Sequence, residues 1–223
     1  MLLHLPKVLD ADQLSRLREL ISRGSFVDGK ATADGGAASV KRNLQLDPES
    51  APTREAGAYL VECLGAHPLF RLAALPRSFS QPLFSRYEPG MSYGTHLDAP
   101  VMYRGGILRT DISTTVFLSD PASYEGGELV IETTSGEQSF KGEAGDCVLY
   151  PGTSFHRVNE LTRGTRSVSA FWIQSLVRDS ARREILYDLA LSLEFLEATG
   201  GAGPYRDRLR RCHGNLVRMW ADV

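Results

Sequence analysis

The sequence predicts a mainly β protein with helical additions: a double-stranded β-helix (jelly-roll) core flanked by N-terminal and C-terminal helices. Short β-rich runs punctuated by turn residues fill the middle of the chain. Helical periodicity is confined to the two ends. At 223 residues the chain can bury a sizeable core, which favours one domain with additions over two independent ones. The divisions read as 1–76, a helical buttress and loop; 77–175, the jelly-roll core; and 176–223, a helical extension.

At the N-terminal end Asp10 is a helix N-cap, and Leu14, Leu17, Leu20 and Ile21 recur at helical spacing until Gly24 stops the pattern. Residues Gly24 to Ser50 carry Gly, Ala, Asp and Ser without period and read as a loop close to the functional site. A second helix is expected over about Pro52 to Leu64, burying Leu60, Val61 and Leu64. From Arg77 roughly eight short runs follow, at the spacing of a sandwich or barrel. They are Leu83–Tyr87, Tyr93–Leu97, Ile112–Leu118, Glu128–Thr133, Gln138–Lys141, Asp146–Tyr150, His156–Val158 and Arg166–Gln174. Gly90, Gly126 and Gly127 are turn glycines that permit positive φ, with no chemistry assigned. Beyond Gln174, Ile185, Leu189, Leu193 and Leu196 form one helical stripe. Leu209, Cys212, Leu216 and Trp220 form another. Both read as core against the barrel, with a homodimer surface as the alternative for the second.

A hydrophobic fraction of 42% and a charged fraction of 23% are ordinary for a soluble globular protein. The net charge of −2 gives no general field for nucleic acid or acidic membranes, so neither is an expected partner. Apolar stretches fall far short of a membrane span, and Met1-Leu2-Leu3 runs into His4 and Pro6 rather than a signal-type apolar run. Cys63, Cys147 and Cys212 are scattered and odd in number, which points to reduced thiols and the cytoplasm.

The chemistry is concentrated in His96-Leu97-Asp98, His156 and Arg166. A strand sends residues i and i+2 to one face with Cα atoms roughly 6.6 Å apart, so His96 and Asp98 can converge on one metal. His156, after the turn at Pro151-Gly152, supplies a second imidazole. Two imidazoles and a carboxylate hold one face of an Fe(II) octahedron and leave positions open for a bidentate cosubstrate and O₂. The same donors suit Zn(II) in hydrolases. Arg166 separates the two. Alternation along its strand puts Arg166, Val168, Ala170 and Trp172 on one face, so the guanidinium points into the barrel and needs an anionic partner. A cosubstrate carboxylate answers that need, with Asp111 or Asp146 as the purely structural alternative.

The run from Arg86 to Asp98, RYEPGMSYGTHLD, resembles the opening motif of the prolyl-4-hydroxylase branch of the 2-oxoglutarate/Fe(II) oxygenases. Gly126-Gly127-Glu128-Leu129 and Tyr150-Pro151-Gly152, with His156-Arg157-Val158, resemble its later motifs. The resemblance covers about Arg77 to Ser175, and the length and helical tail make the chain most similar to the PKHD-type hydroxylases, a bacterial group associated with iron uptake. It implies Fe(II) on His96, Asp98 and His156, 2-oxoglutarate on Arg166 with help from Tyr87, O₂ as second cosubstrate and L-ascorbate as reductant. Arg104, Tyr93 and Trp172 are the candidate substrate contacts. The implied activity is hydroxylation of an unidentified substrate. A non-catalytic iron and 2-oxoglutarate sensor on the same barrel is the second reading, and a metal-dependent hydrolase or cupin-like isomerase the third.

Overall fold

Alternating side chains along the central strands build two sheets that share an apolar interior. In the computed structural model, residues 1–33, 35–103, 106–200 and 203–223 are described. The N-terminal part runs β1 (Leu3–Leu5), α1 (Ala11–Ser22), β2 (Phe26–Asp28), α2 (Gly35–Ser39), β3 (Lys41–Arg42), β4 (Leu44–Leu46), α3 (Ala51–Ala66) and α4 (Pro68–Ala74). The middle runs β5 (Pro76–Phe79), β6 (Leu83–Tyr87), β7 (Ser92–His96), β8 (Val101–Met102), β9 (Leu108–Arg109), β10 (Ile112–Phe117) and β11 (Glu125–Gly126). It continues with β12 (Leu129–Thr133), β13 (Gly136–Phe140), β14 (Cys147–Pro151), β15 (His156–Val158), β16 (Leu161–Arg163) and β17 (Arg166–Ser175), before α5 (Ser180–Ala198) and α6 (Pro204–Trp220).

The larger sheet is ordered β1-β14-β10-β17-β6-β4-β2, with β5 also on β17; the smaller is β13-β12-β15-β7-β3. Every pairing between their strands is antiparallel. One apolar cluster lies between the sheets: Tyr87, Val148, Tyr150 and Val168 from the larger meet Leu129, Ile131 and Val158 from the smaller. A second lies on the outer face of the larger sheet, where Leu149, Val116, Phe171 and Ile173 pack with Leu17, Leu60, Leu64 and Phe70 of the N-terminal helices. This is the jelly-roll with a helical buttress. Strands β14, β10, β17 and β6 feed both clusters because their successive side chains point to opposite faces.

Helix α1 starts where expected. The Asp10 carboxylate accepts from the Gln13 backbone N–H at 2.8 Å while the Gln13 side chain accepts from Asp10 N–H at 3.0 Å, a reciprocal capping box. Three expectations need correction. The stretch 24–50 holds β2, a short 3₁₀ turn, α2, β3 and β4 rather than a structureless loop; two- and three-residue strands are too short to show a period. Val61 is only half-buried; Cys63 takes the inward position with Leu60 and Leu64. The α5 stripe is displaced: Arg183, Leu186, Tyr187, Ala190 and Leu193 are buried, while Ile185 is 47% exposed. Arg183 hides this face from a reading by hydrophobicity. It is buried because its guanidinium donates to the carbonyls of Val177 at 2.7 Å and Arg178 at 2.8 Å. On α6 no described residue is fully buried, and Cys212 is exposed.

Candidate metal and cosubstrate site

The two histidines are neighbours across a strand pair: His96 on β7 sits opposite His156 on β15. Strand β7 ends at His96, so Asp98 enters from the connection after it rather than from the strand itself. The alternation nonetheless holds, with Leu97 exposed and the Asp98 carboxylate almost fully buried. The Nε2 atoms of His96 and His156 lie 3.9 and 3.8 Å from the Asp98 oxygens. One ligand atom from each residue falls within 4.8 Å of the others, a spacing that can hold one metal ion.

The tautomers are fixed from behind. His96 Nδ1 is 2.8 Å from the Gly94 carbonyl and His156 Nδ1 is 3.1 Å from the Ser154 carbonyl. A carbonyl only accepts, so each Nδ1 carries the proton and each Nε2 presents a lone pair to the cavity. Ser113 on β10 donates to Asp98 Oδ2 at 2.5 Å and holds the carboxylate's direction. Tyr93 stacks on the His96 ring with centroids 3.7 Å apart, and Tyr150 meets His156 edge-on at 5.0 Å. Burial and the adjacent His156 lower the His96 pKa to about 4, so this imidazole is neutral at pH 7 and needs no proton displaced to bind a metal.

These residues open into a cavity of about 310 Å³. Arg166 lies opposite Tyr87 in the β17–β6 register and is 1% exposed. Its neighbours Val168, Ala170 and Trp172 line the same cavity, as alternation along β17 predicts. The Tyr87 and Phe117 rings flank the guanidinium at 5.0 and 5.9 Å. None of its three nitrogens has a hydrogen-bond partner among the described residues. Both acids named as structural partners are engaged elsewhere: Asp111 with Arg109 at 2.7 Å, and Asp146 with His4 at 2.7 Å. A buried guanidinium among aromatic rings, with the Tyr124 hydroxyl nearby but no acid beside it, keeps most of its desolvation cost until an anion arrives. Gly127 makes room for it. A Cβ there would sit 2.9 Å from Arg166 Cδ, at a φ of +69° that side chains rarely adopt. The turn glycine without chemistry therefore bears on the site.

Tyr87 is buried beside Arg166; burial raises its phenol pKa, which the Arg166 charge and the nearby Asn43 amide oppose. Tyr93 and Trp172 both reach the cavity. Arg104 lies outside the described residues. Lys41, Asn43 and Gln45, buried polar residues lining the same cavity, went unrecognised in the sequence. Their spacing of two was the available signal, inside a stretch that otherwise has no period.

A family profile described as the 2OG-Fe(II) oxygenase superfamily matches residues 82–174, from β6 to near the end of β17. Over its full length the chain is 48% identical to a PKHD-type hydroxylase of Xanthomonas campestris pv. campestris (strain B100), covering 100% of both proteins. The chain belongs to the PKHD-type hydroxylases. Solved structures agree on the fold. A prolyl-4-hydroxylase of Pseudomonas putida shares 19% identity and a TM-score of 0.53, covering 78% of this chain and 92% of that one. A Trichoplax adhaerens prolyl hydroxylase, solved with a peptide fragment of the hypoxia inducible factor oxygen degradation domain, gives 13%, 0.59, 77% and 82%. With membership in the PKHD-type hydroxylases comes the enzyme class, a 2-oxoglutarate- and Fe(II)-dependent oxygenase. No helix among the described residues is long and apolar enough to cross a membrane.

Proposed function

We propose that His96, Asp98 and His156 hold Fe(II), that Arg166 binds the distal carboxylate of 2-oxoglutarate with Tyr87 beside it, and that the protein hydroxylates a C–H bond of a substrate entering past Trp172 and Tyr93. The unpartnered Arg166 guanidinium is the observation that carries this. A zinc hydrolase has no use for a buried cation aimed into the same cavity as the metal donors; a dicarboxylate that bridges metal and guanidinium does. When bound, the iron supplies the O₂ and redox chemistry, coupled to decarboxylation of 2-oxoglutarate to succinate. The chain's own contribution is geometric. Two imidazoles with preset tautomers and one carboxylate would hold the ion, the guanidinium would fix the cosubstrate's far end, and the apolar walls Leu129, Val158 and Val168 limit water.

L-ascorbate is the proposed reductant for iron oxidised in uncoupled cycles; adding it should extend the number of turnovers without changing the initial rate. We further propose that the activity serves iron uptake and takes place in the cytoplasm; a deletion strain should then grow poorly when iron is limiting. The direct test is anaerobic. Fe(II)-loaded protein given 2-oxoglutarate should develop a weak visible metal-to-ligand charge-transfer band, and O₂ with substrate should then release succinate. A band without succinate would leave a non-catalytic binding protein. Zn(II) should occupy the triad and silence turnover, since zinc has no redox chemistry.

A further inference from the structure

The strand pair β3–β4 crosses from one sheet to the other. Lys41 on β3 pairs with Tyr93 of β7 in the smaller sheet, and Gln45 on β4 pairs with Ser85 of β6 in the larger. Lys41, Asn43 and Gln45 are therefore alternate residues of one extended segment that closes the side of the barrel, and all three line the cavity. Such a wall is expected to be apolar. Here it reads ammonium, amide, amide.

Lys41 is 4% exposed, and no carboxylate among the described residues forms an ion pair with it; Asp98 and Asp28 attract it only from beyond pairing distance. Its Nζ donates to Thr32 Oγ1 at 3.0 Å and lies 5.2 Å over the Tyr93 ring, which leaves ammonium protons without an acceptor. Asn43, also 4% exposed, has neither amide atom in a well-formed hydrogen bond, and the Tyr87 hydroxyl is the polar group beside it. Charge arithmetic sharpens the point. Fe(II), Asp98, Arg166 and a dianionic 2-oxoglutarate cancel, so Lys41 is the charge left over. Its hydrogen-bond partner Thr32 links it to a neighbouring cavity. Thr32, Leu83, Ala99, Met102 and Trp172 line both the main cavity and an adjoining one of about 210 Å³. Arg166 and Tyr87 lie at the other end of the β17–β6 ladder, with Val168 and Ser85 between them and the Ala170–Leu83 pair.

We propose that Lys41 is the substrate-recognition cation of this site: it receives a carboxylate on the substrate, whose aliphatic portion rests on Leu83, Met102 and Trp172. This rests on the assignment of Arg166 to 2-oxoglutarate. Carboxylate capture at Lys41 offsets the desolvation that Thr32 and the more distant Asp98 and Asp28 compensate only in part. The substrate class is an amphiphilic carboxylate, with Asn43 supplying a neutral donor and acceptor along the same wall, while Gln45 is held by Thr32 and Ser85.

The test is calorimetric titration of three six-carbon probes into the anaerobic Fe(II)·2-oxoglutarate complex: hexanoate, hexanamide and hexylamine. Hexanoate should bind at least roughly tenfold more tightly than hexanamide, and hexylamine should not bind, because only the carboxylate completes a charge-assisted pair. Lys41→Met, close in shape and uncharged, should erase the preference, and Lys41→Arg should keep it. Binding of 2-oxoglutarate, measured first for each protein, should change less than about threefold in Lys41→Met and so certifies folding. Equal binding of hexanoate and hexanamide by the wild type overturns the proposal even where a variant does not fold. So does a preference that survives in Lys41→Met, or no saturable binding of any probe. A large loss of 2-oxoglutarate affinity in Lys41→Met would also sink it, by moving Lys41 to the cosubstrate. Failure of the wild type to bind 2-oxoglutarate strikes the cosubstrate assignment instead, and hexanoate against hexanamide is then compared on the Fe(II) form.

Discussion

The two ends of the cavity are built on opposite plans. At the metal end the protein satisfies its own polar groups: Gly94 and Ser154 carbonyls take the histidine protons, and Ser113 holds Asp98. At the guanidinium end it leaves three buried nitrogens without partners. The difference follows from what each end binds. A metal needs donors whose direction and protonation are fixed in advance, since misplacing one ligand loses the coordination geometry. A cosubstrate that is consumed and released must find an open position, so its counter-charge has to wait unpaired. Preorganisation at one end and stored desolvation at the other are two ways of making binding favourable.

The largest expected effects break the metal end outright. Asp98→Ala removes the only anionic donor and leaves two neutral imidazoles, so Fe(II) binding should weaken greatly and turnover vanish. His96→Ala and His156→Ala should likewise abolish turnover. Full 2-oxoglutarate-dependent activity with stoichiometric iron in any of the three would disprove the triad.

At the other end the expected signs diverge. Arg166→Ala should weaken 2-oxoglutarate binding by roughly 30- to 4000-fold, corresponding to about 2–5 kcal/mol for losing one partner of a buried pair. Binding of Fe(II) alone should change little. Arg166→Lys should fall between, since it keeps the charge and loses the fork. The melting temperature supplies the sharper contrast. Without 2-oxoglutarate, Arg166→Met should be as stable as wild type or more so, because it replaces an uncompensated buried charge by an apolar chain of similar length. A structural arginine would behave oppositely: it would lose stability on mutation and leave 2-oxoglutarate affinity alone in whatever remained folded.

Where chemistry demanded particular residue types, the sequence was readable. His96, Asp98 and His156 stand out because few other roles put imidazole and carboxylate at such positions. Arg166 stands out because alternation turns a cation inward along a strand with no acid. The β-runs of the larger sheet were legible for a simpler reason: its central strands alternate between an interior shared by two sheets and a face covered by helices. Two regions resisted. On α5, Arg183 is buried by hydrogen bonds to carbonyls, a solution that hydrophobic periodicity cannot register. Along β3, β4 and the residue between them, the cavity-lining residues are Lys41, Asn43 and Gln45, so the alternation is present with its polarity inverted. A segment that turns polar groups toward a ligand looks like a loop from composition alone.

A milder blow to the metal end tests whether its preorganisation matters. Ser113→Ala removes the hydroxyl that donates to Asp98 Oδ2 and leaves the donors themselves in place. Losing such an outer partner typically costs about 10- to 100-fold in metal affinity. Fe(II) affinity should fall within that range, while 2-oxoglutarate affinity at saturating iron should hold. Metal affinity equal to wild type would show that Asp98 is aimed by its backbone rather than by Ser113.

The smallest effect is expected at Gly127, where the guanidinium end touches the backbone. Its φ of +69° is costly for any residue with a Cβ, and that Cβ would press on Arg166 Cδ at 2.9 Å and Leu161 Cδ1 at 2.9 Å. Gly127→Ala should therefore lose about 1–2 kcal/mol of stability from backbone strain. Both close neighbours are side-chain atoms, so the structure can give locally, and Arg166 is the one whose displacement has a functional readout. A shift of its stem tilts the guanidinium away from the position a carboxylate must meet. Affinity for 2-oxoglutarate should drop several-fold, an effect of about 1 kcal/mol, with Fe(II) binding unchanged. The double variant Gly127→Ala/Arg166→Ala separates strain from function. If the glycine acts on the cosubstrate only through Arg166, adding Gly127→Ala to Arg166→Ala should leave 2-oxoglutarate affinity where Arg166→Ala alone puts it, while the strain penalty persists in the melting curve. Additive losses in affinity would mean that the Gly126-Gly127 turn contacts the cosubstrate by itself, and the two ends of the cavity would then be less different than their hydrogen bonds make them.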